Sequence, residues 1–100
     1  MKRMQPDDRS NHILSAAALV AARGSYATMT REDVATQAHV APSLITHYFG
    51  TMAALRDAVV WFAVDSAHVP LVAQGIMHRH PACKRLPAEL RRKAARLIGG

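Results

Sequence analysis

Residues 29–50, MTREDVATQAHVAPSLITHYFG, carry the pattern that decides the fold. Thr30 is an N-cap residue with Asp33 three positions on, so a hydroxyl and a carboxylate satisfy the orphan backbone donors that open a helix. Val34, Ala35 and Ala38 follow at the spacing that gathers apolar groups on one face, leaving Arg31, Glu32, Thr36 and Gln37 outward. Across Ala38-His39-Val40 the chain has to turn sharply. His39 stands where a positive φ is expected, and histidine is among the few non-glycine types enriched there. Pro42 suits the first position of a second helix, where its missing N–H costs nothing. Leu44, Ile45, Tyr48 and Phe49 then supply apolar anchors around Ser43, Thr46 and His47, and Gly50 closes the helix. Two short helices joined by a tight turn form a helix-turn-helix, in which the second helix enters the major groove of DNA.

Upstream, Pro6-Asp7-Asp8 opens a helix predicted over 7–23, with Ile13, Ala17, Val20 and Ala21 inward and Gly24 as the stop. Tyr26 is expected to pack against the motif. Downstream, Thr51 caps a longer helix reaching about Ala67, with Leu55, Val59, Phe62 and Ser66 as its stripe. Residues 59–64, VVWFAV, are apolar all the way round, which requires burial on more than one side. The covering surface is either the chain's own C-terminal segment or a second copy. Pro70 interrupts the helix or starts a new one, with Leu71, Val72, Ile76 and Met77 continuing as a short helix to about Met77; residues 78–87 (HRHPACKRLP) read as a loop, and Pro87 opens a last helix over 88–98 with Leu90, Ala94 and Leu97 inward. The predicted fold is all-α. A three-helix helix-turn-helix head in residues 1–62 is followed by the longer fourth helix and one or two short C-terminal helices, residues 63–100 forming the extension.

One hundred residues allow one domain, and half of them are apolar while only five are aromatic, a composition of packed helices. Cys83, the single cysteine, excludes an internal disulfide, so a reducing, cytoplasmic setting is the expectation. No run approaches the roughly 18 apolar residues of a membrane span. Charge is uneven: residues 79–96 hold seven basic residues (Arg79, Lys84, Arg85, Arg91, Arg92, Lys93, Arg96) against Glu89 alone, while the rest of the chain is balanced. The second motif helix has no Lys or Arg, so arginine-to-guanine contacts and strong phosphate attraction cannot arise there. Lys2, Arg3 and Arg9 read either as an arm reaching phosphates or a minor groove, or as a solvated tail.

His78, His80 and Cys83 invite a metal reading, but no fourth ligand is evident nearby, and a polar loop with a free thiol describes them as well. No metal ligand and no cofactor are assigned. The absence of a glycine-rich phosphate loop, a nucleophile elbow or paired acids beside a base argues against an enzyme. Glu32 and Asp33 are accounted for by helix capping and the helix dipole.

With Ile13, Leu14, Ala17, Ala18 and Gly24 before it and Thr51 to Val59 after it, the motif resembles the N-terminal DNA-binding domain of the TetR family of bacterial repressors over roughly residues 9–62. The resemblance implies that Pro42, Ser43, Leu44, Thr46 and His47 face the major groove and that Tyr48 contacts a backbone phosphate. Thr30 and Arg31 at the opening of the first motif helix, with Lys2 and Arg3 of the arm, complete the expected DNA-binding set. His39 stands where the family usually has a turn glycine, Thr46 where a tyrosine is common, and Met52 where a lysine is common. The family's large effector domain has no counterpart in residues 63–100. The expectation is therefore a repressor acting as a homodimer on a double-stranded, pseudo-palindromic operator, with no small-molecule inducer implied. Val60, Trp61 and Val64 with Leu90, Ala94 and Leu97 are the expected dimerisation residues. A different reading makes the chain a DNA-binding interaction module whose C-terminal segment holds a heterologous protein, as an antitoxin or anti-repressor does.

Overall fold

A computed structural model describes residues 6–99, and Lys2 and Arg3 lie outside them. Six helices follow in order: α1 (Pro6–Arg23), α2 (Arg31–Ala38), α3 (Pro42–Phe49), α4 (Met52–Asp65), α5 (Val69–Met77) and α6 (Ala88–Gly99), with a 3-10 turn at Pro81–Cys83. The all-α expectation holds among the described residues. The apolar stripe of α1, with Ile13, Ala17 and Ala21 fully buried, lies against α2 and α4. His12 Nε2 donates to the Ala38 carbonyl at 2.9 Å, and Arg23 hydrogen-bonds Gln37, so the C-terminal end of α2 is tied to α1 at two points. Val20, expected inward, is only half-buried.

Three helices stop in the same way. At α2, α4 and α5 a residue in the left-handed region, His39 (φ 59°), Ala67 (φ 55°) or Arg79 (φ 57°), turns the chain. The next N–H then reaches back five residues: Val40 to Ala35 (3.1 Å), His68 to Ala63 (2.8 Å) and His80 to Gly75 (2.8 Å). This is the Schellman closure, built three times without the glycine that normally supplies it. In the last two cases the following histidine also caps what comes next. His68 Nδ1 accepts from Leu71 N–H (3.3 Å) and His80 Nδ1 from Ala82 N–H (3.0 Å). Both imidazoles therefore present a bare Nδ1.

These closures fold α5 back along α4. Gly75 is the point of closest approach: a Cβ there would stand 2.7 Å from Cys83 Sγ and 3.0 Å from Val60 Cγ1. One cluster of buried side chains runs from Ile13 through Val59, Val60 and Leu71 to Leu90 and Ala94. The expected boundary at residue 62 thus falls inside α4, and head and extension share a core.

The shared core corrects several expectations. The inner face of α4 is Leu55, Val59, Val60 and Ala63; Phe62 is half-buried and Ser66 is exposed, its hydroxyl donating to the Phe62 carbonyl at 2.7 Å. The helix is covered on a second side by α5, which takes Val60 and Ala63. Leu90 and Ala94 are inward as expected, but Leu97 is 58% exposed, because the last turn of α6 has left the surface it packs on. Tyr26 is buried in the cluster that also holds Val34, Ala35 and Ile45 of the motif, and it meets the extension as well: its ring lies edge-on to His78 at 5.2 Å, and its N–H donates to Gln74 Oε1 at 2.9 Å.

Candidate nucleic-acid interface

The opening of α2 is a full capping box. Thr30 Oγ1 accepts from Asp33 N–H (3.1 Å) and Asp33 Oδ2 accepts from Thr30 N–H (3.2 Å). Because the Thr30 hydroxyl oxygen serves as acceptor, its proton stays available to an outside acceptor at the exposed helix start. Arg31 beside it is half-buried, and its Nε has no hydrogen-bond partner. Arg56, which the sequence reading passed over, reaches from α4 to donate from Nη2 to the Met29 carbonyl at 3.1 Å. It thus pins the loop that delivers Thr30. Its being the one basic residue of α4 was the available signal.

Pro42 opens α3 at its first position, Gly50 (φ 79°) closes it, and Ile45 is its one buried side chain. Leu44, Tyr48 and Phe49 are half-buried supports. Pro42, Ser43, Thr46 and His47 are exposed together on the outer side, and the His47 and Tyr48 rings meet edge-on at 5.0 Å. The exposed set offers two hydroxyls and an imidazole, groups that hydrogen-bond base edges or phosphate oxygens and carry no fixed positive charge. A short helix anchored through one face and polar on the other is shaped to enter a groove.

The six residues expected at a subunit interface separate into two groups. Val60, Leu90 and Ala94 are buried within the chain's own core and have no surface to offer a second copy. Trp61 (47% exposed), Val64 (half-buried) and Leu97 remain at the surface.

The residues that suggested metal binding have other uses. His80 is held at both nitrogens, by Ala82 N–H and by Asp57 Oδ1 at 2.8 Å from Nε2. Its ring lies 6.3 Å from that of Trp61. Cys83 is buried under Gly75; burial pushes its thiol above the usual range, against the opposing pull of Arg91. Burial likewise raises the Tyr26 phenol, with Cys83 adding to the rise. No cluster of three metal-ligating side chains occurs among the described residues, and no helix there is long and apolar enough to cross a membrane.

Residues 13–59 match the family model described as bacterial regulatory proteins, tetR family. The match begins at the first fully buried residue of α1 and ends in the middle of α4, so it spans the whole helix-turn-helix and its supports. No curated protein and no solved structure matches the chain.

Proposed function

We propose that the chain, whose residues 13–59 match the family model of bacterial regulatory proteins, tetR family, is a DNA-binding transcription regulator and a sequence-specific repressor. In this reading it acts in the cytoplasm as a homodimer on a pseudo-palindromic operator. The observation that carries the proposal is the outer side of α3, where Pro42, Ser43, Thr46 and His47 stand exposed on a helix fixed by Ile45. Leu44 and Tyr48 flank that side, Thr30 and Arg31 meet phosphates at the opening of α2, and Lys2 and Arg3 extend the contact.

A neutral reading helix makes few contacts, which is why two are needed. Dimer symmetry places them about 34–36 Å apart, or a multiple of that, on the duplex. In this reading the second copy meets the first through Trp61 and Val64 of α4 and through Leu97 of α6, which remain at the surface. On the same reading the regulator answers to its own concentration and not to an inducer, the buried side chains Leu71, Val72 and Ala94 of the extension serving its packing. Selection of binding sites from random duplexes tests the reading: two-fold symmetric sites are expected, and sites with no symmetry contradict the homodimer. Thr46→Ala and His47→Ala are expected to weaken binding to the selected site by roughly 1–3 kcal/mol with little effect on folding.

A further inference from the structure

The closure of α5 builds a feature that the helix-turn-helix does not use. Arg79, Lys84 and Arg91 line a recess of about 240 Å³ together with His80, Ile76 and Cys83. Two larger recesses contain carboxylates, Asp33 in one beside α2 and Asp65 with Glu89 in one between α4 and α6. This one contains none. Asp57 is engaged by His80 Nε2 and does not line it. The Cys83 wall carries no charge, because burial keeps the thiol protonated.

Arg91 is also placed in advance. Its Nη2 donates to the Cys83 carbonyl at 3.2 Å and to the Lys84 carbonyl at 3.3 Å, which clamps the turn and fixes the guanidinium at the rim. Three of its five N–H donors are left for another acceptor. Arg79 and Lys84 are exposed at the same recess. Three cations around a small hollow, one of them held by the backbone, make a site for a tetrahedral oxyanion.

Its place in the fold says which oxyanion. Because α5 runs back along α4, His80 returns to Asp57, five residues into α4 and so roughly 7–8 Å of helix rise from its start. That start follows directly on Gly50, the end of the reading helix. On the other side His78 touches Tyr26, four residues before Thr30. The recess therefore sits on the shoulder of the helix-turn-helix, beside both elements that approach phosphates. We propose that Arg79, Lys84 and Arg91 form a phosphate site that takes one backbone phosphodiester of the bound duplex, flanking the groove occupied by α3. The proposal rests on the DNA-binding function above. It gives a neutral reading helix a fixed electrostatic anchor supplied by the C-terminal extension.

Phosphate contacts are independent of sequence, so a fixed mixed-sequence duplex serves as the probe. Its affinity is measured from about 50 to about 200 mM salt for the unaltered chain, for Arg79→Asn with Lys84→Gln, and for Arg92→Gln with Arg96→Gln. Asparagine tolerates the left-handed backbone at residue 79, and circular dichroism verifies that both variants fold. The Arg79/Lys84 pair is expected to flatten the slope of log affinity against log salt by about 0.9 per protomer, a loss across that range roughly 3- to 4-fold smaller. The Arg92/Arg96 pair removes equal charge and is expected to flatten it less. Equal slopes for the two variants would overturn the recess while leaving the DNA-binding function intact; an unaltered chain that binds no duplex would overturn that function itself. Amide resonances of Arg79 and Lys84 are expected to shift on adding the duplex. If they shift with inorganic phosphate but not with the duplex, the occupant is a free anion and the proposal fails.

Discussion

Residues 30–50 and residues 79–96 divide between them what a DNA-binding protein needs. The first stretch has a rigid frame, with α2 opened by a capping box and α3 opened by Pro42 and closed by Gly50, but Arg31 is its one basic residue. The second has seven basic residues against one acid, Glu89. Reading bases requires donors and acceptors held in place, whereas attraction to the phosphate backbone requires charge alone. In the proposed reading the chain meets the two requirements on different helices and joins them through the core between α4 and α5. Neither region is a separate unit.

That joint is where the comparison breaks most easily. Leu71 is fully buried in the cluster shared by both regions. Leu71→Ala is expected to cost about 2–5 kcal/mol, and urea unfolding followed by Trp61 fluorescence and by circular dichroism is expected to show one transition. Two separated transitions would mean that head and extension fold independently. Gly75→Ala is the next largest, because the new methyl meets Cys83 Sγ and Val60 Cγ1. A loss of about 1–3 kcal/mol is expected, and Gly75→Ala combined with Cys83→Ala is expected to recover part of it. Absence of coupling in that double-mutant cycle would show that the close approach is not made there.

Smaller effects sharpen the contrast between the two regions. Thr30→Ala removes the side-chain half of the capping box, the bond that Thr30 Oγ1 accepts from Asp33 N–H, and leaves the residue-30 N–H to donate to Asp33 Oδ2; it is expected to cost about 1 kcal/mol of stability, read by thermal unfolding. In the extension the sign reverses: Ala67 holds φ 55° without a glycine, so Ala67→Gly is expected to stabilise by up to about 1 kcal/mol. A destabilised Ala67→Gly would argue that the α4–α5 turn is held by something other than its backbone geometry.

How much of this was legible in the sequence follows the range of the interactions. Thr30 with Asp33, Pro42, Gly50 and Thr51 act within a turn of their own helices, so their roles could be read from neighbours alone. His39 could be read too, since the chain had to turn there. Ala67 and Arg79 adopt the same backbone, yet nothing local marks them, because the force that puts them there is the packing of α5 on α4. Val60 illustrates the limit. Its apolar surroundings require cover, and whether the cover is α5 or a second molecule depends on a residue 15 positions away, Gly75, being small enough to let α5 approach. Leu97 sits at the helical spacing of Leu90 and Ala94 and still faces solvent, for periodicity states which side a residue is on and not where the partner surface stops. The recess of Arg79, Lys84 and Arg91 joins a helix end, a turn and a separate helix, which no spacing rule connects.

The central claim is that α3 reads and the basic end attracts. The most direct test is a salt titration of binding to a selected site and to a scrambled duplex, for His47→Ala and for a variant with Arg91, Arg92, Lys93 and Arg96 changed to Gln. The account predicts that His47→Ala lowers the ratio of specific to non-specific affinity by roughly 5- to 150-fold, the equivalent of about 1–3 kcal/mol, and leaves the salt slope unchanged. It predicts the converse for the neutralised variant, a flatter slope with that ratio preserved. A His47→Ala chain that flattens the slope while keeping the ratio, or a neutralised chain that loses the ratio at constant slope, would contradict it.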